Sequence, residues 1–231
     1  MRPISQHDEE LFRTVFVAAR MGRADAVVAR LGDRYAEEWD NPEAGFPYAL
    51  ALMAALNADA TRARAIDAHG QSGFLQLIET LDDLLYNVPD HWLARYCRVT
   101  IRVLLPATSQ AYQEYLSEER AKLHTDLTEL LDRQSHARWQ PYFACPCLVA
   151  ARLAHEDGQG AARTEEFVDR AASGPARPIP FPTLGAFLAQ PFLVAYGIAD
   201  FPARPRVGAL MSTLFPDLKA ARALVGAEPV G

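Results

Sequence analysis

Residues 73–106 read GFLQLIETLDDLLYNVPDHWLARYCRVTIRVLLP and carry the pattern that decides the fold. In the first half, apolar residues recur at the steps of an α-helix rather than at alternate positions. Asp90 then suits the N-cap of a second helix, because its carboxylate can accept a hydrogen bond from a free amide of the first turn. Pro106 ends that helix, because proline lacks the backbone N–H that would continue it. The stretch therefore predicts two consecutive helices, and the apolar residues of the first are Phe74, Leu75, Ile78, Leu81, Leu84 and Leu85.

The same periodicity continues on both sides, and no segment alternates apolar and polar residues as a half-buried strand does. Gly22 ends the first predicted helix, Asn41-Pro42 closes the second, and the third, residues 44–59, is apolar nearly all round and is expected to be central. We predict an all-α fold of about ten helices, built either as an array of antiparallel helical hairpins or as an irregular helical bundle. The other predicted helical segments are 8–22, 24–40, 58–70, 108–135, a helix starting at Pro146, 160–173, two short helices within 178–199, and one or two after residue 201.

The composition is that of a globular chain, with half of its 231 residues apolar and 23% charged. The net charge of −6 argues against a bulk attraction to nucleic acid or to an anionic membrane. Early acidic residues argue against a signal peptide, and three cysteines do not form a disulfide framework. We expect a cytoplasmic protein with one all-α domain over 1–231. The alternative is a subdivision into a hairpin array at 1–175 and a Pro-rich segment with C-terminal helices at 176–231.

The segment 178–199 contains no charged residue and approaches the length of a membrane span. Pro180, Pro182 and Pro191 interrupt it, and proline kinks or ends a helix. We therefore predict two short buried helices and no membrane insertion. The segment is also a candidate homodimer interface, because helical domains commonly bury apolar surfaces between copies.

Two stretches resemble the helical hairpins of tetratricopeptide repeat proteins. Residues 15–39 have small residues near a turn at Gly22, and residues 148–175 have a turn at Gly158 and a closing Pro175. The resemblance implies an array of hairpins with a concave groove, and it implies no particular ligand. A single irregular bundle would show the same spacing. The further residues that carry the resemblance are Ala26, Leu31, Ala151, Phe167 and Ala171.

A row of basic residues follows one side of the helix predicted after Asp90. Its members recur at steps of four, three and four, which places them on one helical face. Guanidinium groups in a row can bind carboxylates, phosphates or an acidic peptide. Alternatively, the arginines pair inside the protein with Glu114, Glu118 and Glu119 of the next helix. We take the row as the candidate ligand- or partner-binding site: His91, Arg95, Arg98 and Arg102.

Cys145 and Cys147 flank Pro146 and invite a metal or redox interpretation. Residues two apart in a helix point in nearly opposite directions, so two helical thiols at this spacing cannot bind one metal ion. We instead expect Pro146 at the first helical position, with Cys145 just outside the helix and Cys147 packed in its first turn. The alternative is a reactive cysteine, because the helix dipole can lower the pKa of a thiol in the first turn.

No catalytic, phosphate-binding or metal-binding motif of a known type occurs in the sequence. We therefore predict no metal, no cofactor and no catalytic residue, and we favour a protein that is not an enzyme. Some aromatic residues could line a pocket for a small molecule, although such residues most often form the core. The pocket candidates are Trp139, Tyr142, Phe143, Phe187 and Tyr196.

The leading functional hypothesis is a non-enzymatic helical module for protein–protein or protein–peptide interaction, with a groove that carries the arginine row. The alternative is a small-molecule-binding protein, or a pathway enzyme or accessory factor, with an aromatic-lined pocket between helices. A metal-dependent helical bundle, with ligands assembled from distant positions, is a third hypothesis.

Overall fold

The computed structural model describes residues 4–59, 73–104, 110–133, 142–174 and 177–216. Within these ranges the chain is largely helical and contains no strand, which confirms the predicted all-α fold. The helices are α1 (Gln6–Ala18), α2 (Ala24–Glu37), α3 (Pro42–Ala58), α4 (Gly73–Asn87), α5 (Trp92–Leu104), α6 (Gln110–Arg133), α7 (Ala144–Glu156), α8 (Ala161–Ser173), α9 (Pro182–Leu188), α10 (Gln190–Gly197) and α11 (Arg204–Leu214).

The chain divides into two compact units, Met1–Arg98 and Val99–Gly231, and α5 runs across the boundary between them. Within unit 1, α3 packs against α1, α2 and α4. Within unit 2, α7 and α8 form a hairpin, onto which α10 and α11 pack. Unit 2 therefore includes helices from both sides of residue 175, the position of the possible subdivision predicted above.

Helix α3 has buried side chains on every side, as its apolar pattern predicts. It begins at Pro42, and the side chain of Asn41 accepts a hydrogen bond from the Glu43 amide at 3.0 Å. Asn41-Pro42 therefore starts α3 and does not close α2, which ends at Glu37. The physical reason is that proline is favoured in the first helical turn, where its missing N–H is not needed.

Two close contacts show that α2, α3 and α4 are antiparallel neighbours. Tyr35, near the end of α2, stacks on Tyr48, near the start of α3, with ring centroids 5.2 Å apart. Gly45, also near the start of α3, faces the end of α4, since a Cβ there would lie 3.7 Å from Leu84 Cδ1. Helices α2 and α4 therefore run in the same direction, and their C-terminal ends lie beside the N-terminal end of α3.

Helix α5 has His91 and not the predicted Asp90 at its N-cap. His91 Nδ1 accepts a hydrogen bond from the Ala94 amide at 3.2 Å, and the imidazole ring lies 4.6 Å from the ring of Phe46. His91 is buried, whereas Asp90 is exposed in the turn before it. An imidazole can pack on an aromatic ring while it caps the helix, whereas a carboxylate in the same place would lose its hydration.

Helix α7 begins at Ala144, so Pro146 occupies its third position rather than its first. The amides of the first turn have no helical partner, and the N–H that proline lacks therefore costs no hydrogen bond there. Cys145 and Cys147 are both inside the helix and both 0% exposed. The prediction that Cys145 lies outside the helix is wrong, and the packing of Cys147 is confirmed.

The charge-free segment folds as predicted into two short helices, α9 and α10. Leu184, Leu188 and Phe192 are fully buried, and Phe192 packs edge-on against Phe215 with ring centroids 5.3 Å apart. None of the helices in the described ranges is long and apolar enough to cross a bilayer. The predicted helix at 58–70 and a second helix near the C-terminus fall largely or wholly outside the described residues.

Candidate functional site

The first three residues of the basic row make contacts within unit 1. His91 caps α5, and Arg95 Nη2 donates a hydrogen bond to the Pro89 carbonyl at 2.7 Å. Arg98 Nη1 lies 2.7 Å from Asp82 Oδ1 in an ion pair. His91 and Arg95 are 6% and 7% exposed, and the Arg98 side chain is 13% exposed. Arg98 is therefore the most accessible of the three.

Arg102, the fourth member of the row, lies in unit 2 and forms a buried ion pair. Its Nη1 is 3.2 Å from Asp126 Oδ2, and each side chain is only 2% exposed. Pairing inside the protein, the alternative raised from the sequence, thus occurs at Arg98 with Asp82 and at Arg102 with Asp126. The side chains of the acidic partners expected from the sequence, Glu114, Glu118 and Glu119, lie outside the described residues.

The three thiols lie in surroundings that disfavour the thiolate. Burial raises the pKa of Cys97 and of Cys145 far above the ordinary value of a thiol. Burial also raises the pKa of Cys147 to about 12, against the opposing effect of the Arg170 charge. A thiol with so high a pKa is a poor nucleophile near neutral pH. Among the described residues, no group of three His, Cys, Asp or Glu side chains is arranged to hold a metal ion.

The predicted pocket aromatics make contacts with different helices of unit 2. Tyr142 is buried, and the ring of Phe143 lies 5.8 Å from the guanidinium of Arg170 in α8. Tyr196 is 36% exposed, and the guanidinium of Arg204 in α11 lies 4.8 Å from its ring. Phe187 is half-buried in α9, and Trp139 lies outside the described residues.

Two other aromatic side chains, Trp39 and Tyr86, are exposed at one end of unit 1. Trp39 is 58% exposed and Tyr86 is 85% exposed. Trp39 follows Tyr35 by four residues, Tyr86 follows Asp83 by three, and the Tyr35 hydroxyl donates a hydrogen bond to Asp83 Oδ2 at 2.9 Å. Because α2 and α4 run in the same direction, both exposed aromatics lie beyond this hydrogen bond, at the same end of the unit.

The two exposed aromatic side chains lie in segments of the chain that are rich in acidic residues. Segments 33–43 and 79–91, which contain Trp39 and Tyr86, hold nine acidic residues and one arginine, a formal charge of −8, whereas the whole chain carries −6. The pKa of Tyr35 is raised by its burial, by its hydrogen bond to Asp83 and by nearby negative charge. We name this end of unit 1 the acidic-aromatic surface, and its members are the exposed residues Glu37, Trp39, Asp40, Glu43, Asp83, Tyr86 and Asp90.

Sequence reasoning missed this surface for a physical reason. The density of acidic residues in the two segments is visible in the sequence. The exposure of Trp39 and Tyr86 is not, because large aromatic side chains beside apolar helix faces are expected in the core. Only the packing of α2, α3 and α4 brings the two aromatics to the same end of unit 1.

Comparisons of the chain with protein-family models, with curated proteins and with solved structures find no match. A functional proposal therefore depends on the geometry and charge of the surfaces described above.

Proposed function

We propose that this chain is a non-enzymatic helical interaction module that binds a protein partner through the acidic-aromatic surface. The observation that carries the proposal is the exposure of Trp39 and Tyr86 at one end of unit 1. Aromatic side chains are enriched at the centres of protein interfaces, because they bury a large area and order few rotatable bonds. A largely exposed tryptophan contributes little hydrophobic free energy to the folding of its own unit, and it contributes more to binding when a partner buries it.

The arginine row contributes to this proposal at one position. Arg98 is bound to Asp82, which lies four residues before Tyr86 and therefore on the same side of α4. Arg98 thus borders the acidic-aromatic surface, where it can exchange Asp82 for a carboxylate or carbonyl group of the partner. We assign Arg95 and Arg102, which are buried, to the stability of the fold.

The proposal is tested by site-specific crosslinking followed by binding of the purified partner. A photoreactive phenylalanine analogue replaces Tyr86 in the producing cell, and in a matched control it replaces Tyr196 of unit 2, which is also exposed. We expect a protein that crosslinks from position 86 and not from position 196. Its affinity for the purified chain should fall about tenfold or more in the Trp39→Ala/Tyr86→Ala variant and stay unchanged in Tyr196→Ala.

Thermal unfolding separates a lost contact from a lost fold. Trp39 and Tyr86 are largely exposed, so their replacement by alanine should leave the melting temperature almost unchanged. If the crosslinked protein binds the folded double variant as tightly as the unchanged chain, the acidic-aromatic surface is not the binding site and the proposal is wrong.

A further inference from the structure

We propose that the acidic-aromatic surface binds an arginine- or lysine-rich segment of its partner; this inference rests on the proposed function and adds the chemistry of the partner. The first support is the distribution of charge. The two segments that build the surface carry −8, or −7 when Arg98, which pairs with Asp82, is included, and the whole chain carries −6, so the remainder of the chain is net positive. The acidity of the protein is therefore a local property of this surface, where it attracts a cationic segment.

The second support is the combination of aromatic rings with carboxylates. A guanidinium group can stack on the face of Trp39 or Tyr86 as a cation–π contact. Its N–H groups can at the same time bind a neighbouring carboxylate, such as Asp83 or Asp40, in a bidentate manner. An arginine of the partner would thus use both features of the surface, whereas an apolar segment would leave the carboxylates without a partner.

The chain itself contains examples of the stacking contact. The guanidinium of Arg204 lies 4.8 Å from the ring of Tyr196, and that of Arg163 lies 4.5 Å from the ring of Phe167. Arg163 also pairs with Glu166 at 2.6 Å, so one guanidinium contacts a ring and a carboxylate together. This is the arrangement that we infer for an arginine of the partner on Trp39 or Tyr86.

Other occupants of the surface fit its charge less well. Nucleic acid, an anionic membrane and an acidic peptide would all meet like charge. A second copy of the chain offers three exposed arginines, Arg13, Arg20 and Arg23, close in sequence to exposed Val17 and Met21. Such a contact between two different surfaces is head-to-tail and leaves one unoccupied surface at each end. Further copies would therefore bind and form an open-ended chain, unless the assembly closed into a ring. We therefore assign the surface to a separate partner and make self-association an outcome of the test.

The inference is tested by fluorescence anisotropy of a labelled peptide that alternates arginine and glycine, titrated with the full chain. The Trp39→Ala/Tyr86→Ala variant removes no charge, and we expect it to bind the peptide about tenfold more weakly. The Asp40→Asn/Glu43→Gln variant should also bind more weakly and should show a smaller dependence on salt. The matched control, Glu165→Gln/Glu166→Gln, removes the half-buried carboxylate of Glu165 and the exposed carboxylate of Glu166 from α8 and should bind as the unchanged chain does.

Two results would overturn the inference directly. If the two carboxylate variants bind equally weakly and the aromatic variant binds as the unchanged chain does, the peptide responds only to net charge. Tighter binding of a glutamate–glycine peptide would show the opposite preference. A third result could come from sedimentation velocity of the chain alone. Self-association that is lost in both Trp39→Ala and Arg20→Glu would assign the acidic-aromatic surface to a second copy of the chain and would overturn the inference.

The peptide and the crosslinked partner report on different claims. If the partner requires Trp39 and Tyr86 but the arginine–glycine peptide does not bind, the proposed function stands and the inference of a basic segment is wrong. If the double substitution weakens the peptide and leaves the partner unaffected, the proposed function is wrong, while the preference of the surface for basic segments stands.

Discussion

Replacing Asp126 with asparagine removes one charge from the buried ion pair of unit 2 and changes little else. Arg102 Nη1 and Asp126 Oδ2 are 3.2 Å apart, and each side chain is 2% exposed. Asparagine has nearly the same size and keeps an acceptor oxygen, so the packing is retained. The buried guanidinium of Arg102 would then lose the charge of Asp126, which is unfavourable because water cannot replace that contact.

The magnitude follows from the distance and the burial. At 3.2 Å and an effective dielectric constant of about 20, the attraction is about 5 kcal/mol. Removal of one partner of a buried pair typically costs about 3 to 5 kcal/mol. We therefore expect the free energy of unfolding of Asp126→Asn to fall by about that amount, which is a large part of the total for an ordinary domain. Replacing both residues with apolar side chains, as in Arg102→Met/Asp126→Leu, should cost less than the single substitution.

Urea unfolding by far-ultraviolet circular dichroism measures the loss, and thiol labelling localises it to unit 2. Cys145 and Cys147 are fully buried, so they react only when their surroundings open. A loss of 3 to 5 kcal/mol raises their labelling rate by about a hundredfold to a few thousandfold when opening is a rapid pre-equilibrium. The control is Glu166→Gln, which breaks an exposed pair with Arg163 and should cost less than about 1 kcal/mol.

Two results would refute this reasoning. The first is an Asp126→Asn variant that loses no more stability than Glu166→Gln, since the buried pair would then be worth no more than an exposed one. The second is a doubly apolar variant that is less stable than Asp126→Asn, since the loss of the Asp126 charge beside the buried Arg102 guanidinium would then not be the cause of the destabilisation.

Three further predictions concern the caps, the turns and the thiols. His91→Ala should lower the free energy of unfolding by about 1 to 2 kcal/mol, because it removes the acceptor that caps α5. His91→Asn restores a capping acceptor and should recover part of this loss. Equal losses for the two variants in urea unfolding would argue against the cap. Gly22→Ala should destabilise the protein by about 1 kcal/mol, because the φ of 71° at this residue disfavours a side chain. Gly197 is helical and has open space around it, so Gly197→Ala should be neutral or stabilising. Melting temperatures in the reverse order would contradict the prediction. Burial raises the pKa of Cys147 to about 12, so from about pH 9 upward the unfolded chain loses this proton before the folded chain does. The free energy of unfolding therefore falls by about 1 kcal/mol per pH unit from this thiol alone. Cys147→Ala should show a shallower decline with pH than the unchanged chain, and an identical pH profile would contradict the prediction.

The sequence by itself determined where most of the described helices lie. The spacing of apolar residues in 73–104 is sufficient for α4 and α5, because each helical hydrogen bond joins residues only four apart. The apolar pattern of residues 44–59 likewise located the central helix α3. In 178–199 the prolines mark where the two helices start, since Pro182 begins α9 and Pro191 lies in the first turn of α10, where a missing donor costs no hydrogen bond. A helical periodicity depends on near neighbours, and near neighbours can be read from a sequence.

Only the tertiary structure decided which residues form the candidate sites. Arg98 pairs with Asp82, 16 residues away, and Arg102 with Asp126, 24 residues away, and no local pattern indicates either partner. His91, rather than Asp90, is the N-cap residue of α5, because the imidazole packs against the ring of Phe46, which is distant in sequence. The same packing of α2, α3 and α4 left Trp39 and Tyr86 in solvent. The partners of charged groups and the exposure of aromatic rings depend on which helices meet, and that is set by the packing of the whole unit rather than by any local pattern.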